Sequence, residues 1–381
     1  YILKLFDCKP VGSIKLIFPD KSYFLFGSEH SSLEIKFNNY KIVSSYFLSG
    51  PNAFGDCYVN GDVECSNLTD FFIFYLRNKE NFDKMIRFKI FKINISYIFH
   101  LFRKNTIKGA KKNIRAHYDM GNDFFEEWLD SNMQYSSAHF ERDNQTLEEA
   151  QKNKFKKLEN YLSLNDGEKL LEIGCGWGTL SQYLFNNNQI DIDAITISKE
   201  QLSFVKKLNI KDSFNNCSFD IKDYRNLFTN YNKIISIEMI EAVGEKYLPL
   251  YLRKIRECTR DDGFAIIQGI TISDKKYKEY SNQVDFIQKY IFPGGFLPSK
   301  DMLRKKANDE SIDVQIIEDL NSSYVRTLRL WRERFNQKWP KIKTMGYDEK
   351  FSRIWNYYLS YCEAGFSEKS IFVSVFKLTP K

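Results

Sequence analysis

KLLEIGCGWGTL, residues 169 to 180, decides how the rest of the chain is read. Lys169 to Ile173 is a short apolar run that reads as a strand. Gly174, Gly176 and Gly178 then allow the backbone to turn tightly under a ligand before a helix begins. A dinucleotide fingerprint spaces its glycines G-x-G-x-x-G and presents a helix N-terminus to pyrophosphate. Here the spacing is G-x-G-x-G, and Glu172 stands just before it. A carboxylate at that strand end argues against a phosphate and for a cationic ligand. The bland alternative is a tight strand-to-helix turn that binds nothing.

An acid followed by G-x-G is the usual opening of S-adenosylmethionine-dependent methyltransferases, whose cofactor carries an amino group and a sulfonium. Downstream of the turn, strand-like and helix-like stretches alternate: Ile190 to Ile197, Lys199 to Leu208, Asn216 to Phe219, Lys233 to Ile237, Tyr247 to Cys258 and Gly263 to Ile270. Asp313 to Ile317 and Ser370 to Leu378 read as the final strands, with a helix over Tyr324 to Trp339 between them. Such alternation predicts an α/β fold, a Rossmann-like class I methyltransferase with a mostly parallel seven-stranded sheet and ligands at the carboxyl ends of its strands. A long insert, about 273–312, carries Phe292-Pro293-Gly294-Gly295-Phe296 and is placed to roof the site.

Upstream of the turn, Thr146-Leu147-Glu148-Glu149 is a capping box that opens a helix to about Leu162. Before it lies Asn113 to Phe140, dense in His, Asp, Asn, Tyr and Ser and too polar for an ordinary linker. Residues 1–85 alternate short apolar strands with turns and read as a small mixed α+β domain whose helix is Leu68 to Leu76. Residues 86–116 form a basic linker, and 117–381 form the methyltransferase domain.

The whole chain of 381 residues has a net charge of +7, yet Arg77 to Arg115 alone holds twelve Lys or Arg against Glu80 and Asp83. Phe88, Phe91, Ile95, Ile98, Phe99 and Phe102 recur there at helical spacing, flanked by Arg87, Lys89, Lys92, Arg103 and Lys104. A basic amphipathic helix on an anionic membrane surface fits this pattern, and the bland reading is a linker helix with a solvated basic face. No nucleic-acid motif accompanies the charge. Seven cysteines without a CxxC pair suggest reduced thiols in a cytoplasmic compartment, and the four histidines are too scattered to predict a metal site. No uncharged apolar run approaches the length of a membrane span.

Ordered blocks over most of the chain resemble the cyclopropane-fatty-acyl-phospholipid synthase family. They are HYDMGNDFFEEWLD (117–130), MQYSSAHF (133–140), LLEIGCGWGTL (170–180), ITISKEQ (195–201), KDYRNL (222–227), SIEMIEAVGE (236–245), DFIQKYIFPGGFLPS (285–299) and YVRTLRLWRERF (324–335). The resemblance implies transfer of a methylene, or methyl, unit from S-adenosylmethionine to the double bond of an unsaturated phospholipid acyl chain, through a carbocation. It implies cofactor contacts from Tyr135, Ser136, Gly174, Gly176, Thr196 and Gln201, beside Glu172, with Asp223 and Tyr224 at the adenine. It further implies a bound bicarbonate that manages the departing proton, clasped by Glu241, Tyr324 and the backbone of Ile270. The family's Cys and His ligands fall on Ser137 and Gln268, and the usual His of its E-H-V-G block is Ala242. Gln268 cannot relay a proton as imidazole does. A methyl- or methylene-branched product is therefore an alternative outcome, as are methylation of a small amine and a binding protein whose site has decayed. His117 and His139 are further candidates, although a lone His is more often a satisfied hydrogen-bonding residue. The likeness also implies a homodimer, and the basic stretch a place peripheral to the inner face of the membrane.

Overall fold

The computed structural model describes residues 10–28, 31–87, 120–209 and 216–381. The first unit contains β1 (Ile14–Ile17), β2 (Tyr23–Phe26), β3 (Glu34–Phe37), α1 (Lys41–Ser49), α2 (Ala53–Val59), β4 (Val63–Cys65) and α3 (Leu68–Arg87). Its sheet runs β2-β1-β3-β4, and Ile14, Phe26, Ile35 and Val63 bury one face against Phe74 of α3. That helix continues past its expected end at Leu76. The Asn78 side chain exchanges hydrogen bonds with both backbone groups of Val11 at 2.9 and 3.0 Å, and Phe82 packs on Phe26, so tertiary contacts hold turns whose sequence is charged. The basic amphipathic stretch at 88–116, and His117, lie outside the described residues.

The second unit begins with α4 (Asn122–Glu126) and α5 (Leu147–Leu162), the latter opened by the Thr146/Glu149 capping box. Then follow β5 (Lys169–Ile173), α6 (Thr179–Asn187), β6 (Asp191–Thr196), α7 (Lys199–Asn209), β7 (Cys217–Ile221), β8 (Tyr231–Ile237), α8 (Leu248–Cys258) and β9 (Thr259–Ile272). The insert folds into α9 (Asp274–Tyr280), α10 (Phe286–Tyr290) and α11 (Lys300–Asp309). The chain closes with β10 (Ile312–Asp319), α12 (Asn321–Thr344), α13 (Glu349–Ser367) and β11 (Ile371–Pro380).

The seven strands lie in the order β10-β11-β9-β8-β5-β6-β7. All but β11 run in one direction, because β11 is antiparallel to both of its neighbours while the remaining pairs are parallel. The chain leaves β5 towards β6 and β7, then returns on the other side as β8 and β9. The crevice at the carboxyl ends of β5 and β8 is thus the topological switch point, where open α/β sheets bind ligands.

Helix α12 runs past Pro340, where sequence reading ends it. Buried Ile342 anchors the last turn against the core, which offsets the hydrogen bond that proline forfeits. Helix α13 was not anticipated at all. Its Trp355 packs with Trp128, Phe335 and Phe351 in one aromatic cluster, and Trp331 of α12 joins through Trp128. The opposite side of α13 receives the first unit. Tyr357 stacks on Phe286 of α10 with centroids 3.8 Å apart and meets Phe72 of α3 edge-on, while Thr69 donates to buried Glu363 at 3.0 Å. No helix among the described residues is long and apolar enough to cross a membrane.

Candidate active site

The glycine turn is fastened to β6, since the N–H groups of Gly174 and Cys175 both donate to the Ile195 carbonyl at 2.9 and 3.0 Å. Gly174 and Gly176 have φ of +83° and +54°, and nothing lies within 4 Å of where a Cβ on Gly176 would project. The turn therefore presents open, partly accessible backbone, a surface that fits an adenosyl ligand. At the end of β6, Thr196 donates to Gln201 at 2.8 Å, so these two expected cofactor contacts lie together.

Glu172 is placed otherwise than expected. Its carboxylate is buried under the sheet and accepts a hydrogen bond from Ser181, and burial raises its pKa to about 7. Asp223 is also engaged, clasped by the guanidinium of Arg225 at 2.7 and 2.8 Å, with Tyr224 packed edge-on against Tyr251. Burial raises the thiol pKa of Cys175, which fits an inert core residue. His139 pairs with Glu318 of β10 at 3.0 Å.

Tyr135 to Ser137 lie between α4 and α5, in a segment tied to α12. Ala138 N–H donates to Thr327, and Phe140 N–H to Ser323, both at 3.1 Å. That fastening brings Tyr324, one turn before Thr327 on the same helix face, up to the switch point. The Tyr135 hydroxyl meets that of Tyr358 at 2.9 Å, and its ring packs between Trp128 and Trp331. Ser136 accepts from Lys154 at 2.8 Å. Lys154 is a fully buried ammonium whose pKa burial lowers to about 8, against the opposing pull of Asp130, Glu238 and Glu172.

Two acids follow β8, and sequence reading singled out only the second. Glu238 adopts φ of +49°, a conformation costly for any side chain but glycine and concentrated at functional sites. Its Oε1 accepts from the Ser137 N–H and from the Gln268 amide, each at 2.8 Å, and its Oε2 accepts from the Tyr324 hydroxyl at 2.6 Å. Ser137 thus contributes its backbone, while its hydroxyl donates to the Ala138 carbonyl. Glu241 accepts from the Ile270 N–H at 2.5 Å, and its Oε2 is buried without a partner. The sequence signal for Glu238 was present: acids three apart just beyond an apolar strand, at the sheet edge where chemistry occurs.

Two neighbouring carboxylates in a dry site do not both ionise. Burial raises the pKa of both. Three hydrogen bonds and Lys154 favour the charge on Glu238, while Glu241, facing that charge, is pushed up to about 8. Glu241 thus holds its proton more tightly than an ordinary carboxylic acid, while on Glu238 the three hydrogen bonds and Lys154 oppose the upward push of burial. The glycine turn lies against the segment between the two acids, since a Cβ on Gly174 would come 3.1 Å from the Met239 side chain. The insert covers it, with Phe296 N–H donating to the Glu241 carbonyl at 2.9 Å. Glu238, Glu241 and Ile270 each keep part of their surface accessible.

Of the five groups assigned to bicarbonate by resemblance, four donate to the protein's own carboxylates and the fifth, Glu241, is one of those carboxylates. Tyr324, Ser137 N–H and Gln268 hold Glu238, and Ile270 N–H holds Glu241. A third anion would find these donors taken and two acids facing it, so the residues present do not fit bicarbonate. Among the described residues no His, Cys, Asp and Glu cluster has the arrangement of a metal site.

The profile of the mycolic acid cyclopropane synthetase family matches residues 105–376. The chain belongs to this family. It is 32% identical over 339 residues to the cyclopropane-fatty-acyl-phospholipid synthase of Escherichia coli strain K12, covering 89% of this chain and 85% of that protein. It is 35% identical over 280 residues to the tuberculostearic acid methyltransferase UfaA1 of Mycobacterium tuberculosis, covering 71% of this chain and 65% of the relative's length. Among solved structures, the mycolic acid cyclopropane synthase CmaA1 in complex with SAH and CTAB superposes with a TM-score of 0.65 at 29% identity, over 70% of this chain and 97% of that one. Membership makes the chain an S-adenosylmethionine-dependent methyltransferase of the cyclopropane synthase type and agrees with the class I methyltransferase sheet described above.

Proposed function

We propose that this member of the family transfers a methylene unit from S-adenosylmethionine to the double bond of an unsaturated phospholipid acyl chain and closes a cyclopropane ring. The observation that carries this reading is the meeting of the open glycine turn with the Glu238/Glu241 pair through Met239. When bound, S-adenosylmethionine supplies an electrophilic methyl on sulfur. Gly174 and Gly176 offer it backbone, Thr196 and Gln201 reach the ribose side, and Tyr224 beside the Asp223–Arg225 pair flanks the adenine. Tyr135 and Ser136 close the site from the α12 side. An acyl chain threaded under the insert meets the rings of Phe292 and Tyr358, which stabilise a passing carbocation.

The basic stretch from Arg77 to Arg115 draws the protein to anionic lipid on the cytoplasmic face, and the first unit helps present the chain. A homodimer follows from family likeness and is tested by light scattering. To test the activity itself, the protein is incubated with S-adenosylmethionine carrying a labelled methyl and with vesicles of unsaturated or saturated phospholipid. Label entering only the unsaturated lipid supports the reading. Label entering neither lipid, but transferred to a small amine, overturns it.

A further inference from the structure

We propose that Glu238 is the proton acceptor of this reaction, a carboxylate of the chain itself standing where family likeness puts a bicarbonate ion. The inference rests on the function proposed above and adds the identity of the base. Three donors from three separate elements converge on this one side chain: the hydroxyl of Tyr324 on α12, the amide of Gln268 on β9 and the N–H of Ser137 before α5, at 2.6 to 2.8 Å. Hydrogen bonding of that kind holds a carboxylate in place and in its charged form. The backbone of Glu238 is held at positive φ to deliver it there. A residue serving only to brace a loop would not require that conformation, which glycine adopts freely.

Three donors leave part of Oε2 without a partner, which is the capacity a base needs. Glu241 takes its own hydrogen bond from the Ile270 N–H and leaves the three donors on Glu238 undisturbed. Once the alkene π electrons have formed the bond to the methyl carbon and the C–S electron pair has left with sulfur, a C–H bond of the new methyl breaks. Its electron pair closes the ring, and its proton passes to Glu238, which becomes a carboxylic acid and returns the proton to solvent between turnovers. No bicarbonate enters this sequence. Gln268, unable to titrate, serves it well, because its task is to donate to a fixed carboxylate and not to relay a proton.

The test measures cyclopropane formation on unsaturated phospholipid vesicles in buffer stripped of carbon dioxide, with and without added bicarbonate. The wild-type rate is expected to be the same in both. Glu238→Gln, nearly isosteric, is expected to lose about 10²- to 10⁴-fold in kcat with unchanged affinity for S-adenosylmethionine. Glu238→Ala is expected to recover part of its activity when formate or bicarbonate is added, the small anion entering the space left by the side chain. A wild-type rate that falls on depletion and returns with bicarbonate overturns the proposal, as does a fully active Glu238→Gln. The wild-type arm needs no variant to fold. Absence of any wild-type product overturns the proposed function and this inference together, whereas product that depends on bicarbonate overturns this inference alone.

Discussion

At the residue scale, the site turns on how one charge is shared between two glutamates. Glu241 has its folded-state pKa raised from 4.5 to about 8, by burial first and by Glu238 second. A carboxyl whose pKa is raised on folding binds its proton more tightly in the native state. The native protein therefore holds more protons than the unfolded chain between these values, and stability falls as pH rises from about 4.5 to about 8. Glu241→Gln replaces the protonated acid with a neutral amide of the same shape. Its melting temperature is expected to vary less with pH across that window than that of the wild type, and an unchanged slope would remove Glu241 from the titrating pair. Because glutamine resembles the protonated acid, its turnover at neutral pH should stay within about tenfold of wild type, less than the loss expected when a general base is removed.

How much of this site was legible differs from residue to residue. Ser137, Gln268, Ile270, Tyr324 and Glu241 were named from sequence blocks, and the fold brings them together. Glu238 was not named although two acids three apart follow the apolar strand, because a linear pattern does not say which of them takes a left-handed backbone and meets three donors from distant segments. Glu172 was read as facing a cationic ligand from its place before the glycines, whereas its hydrogen bond from Ser181 on the following helix could not be read from that local pattern.

At the element scale, the turn after β8 must fit against β9. A Cβ on Gly269 would lie 2.7 Å from Ile240 Cγ2 and 3.8 Å from a Glu241 oxygen. Gly269→Ala is thus expected to push that turn off the strand, lowering kcat more than affinity for S-adenosylmethionine and destabilising the fold by about 1–3 kcal/mol. Paired kinetics and denaturant unfolding measure both, and wild-type values in each would show that the turn is free to shift. Sequence periodicity placed β2 and α5 accurately, since their signals are local: a tyrosine-bounded apolar run and a capping box. It missed α13 and shortened α3 and α12, because buried contacts from distant segments sustain these helices where the local sequence is charged or contains proline.

At the scale of the whole molecule, the two units meet across aromatic rings and polar pairs. Gly55 of α2 lies at this junction, where a Cβ would come 2.6 Å from the Phe286 ring. Gly55→Val is expected to wedge the first unit away from α10 and α13, costing about 1–3 kcal/mol and exposing the junction to limited proteolysis. Wild-type protease resistance would contradict the described packing. The charge of the basic stretch also belongs to this scale. Reversal at Lys89, Lys92, Arg103 and Lys104 should weaken binding to anionic vesicles, each lost charge contributing about 1 kcal/mol and the effect shrinking with salt. Equal vesicle binding by mutant and parent would dispose of that docking role.

The central claim is that this fold adds one carbon across an acyl double bond and closes a ring. Mass spectrometry of unsaturated phospholipid incubated with the protein and S-adenosylmethionine, with fragmentation that locates the added carbon, tests it most directly. One CH₂ gained per modified chain, bridging the two former alkene carbons, is the expected product. A carbon found as a methyl or methylene branch would contradict ring closure, and unmodified lipid would contradict the proposed activity as a whole.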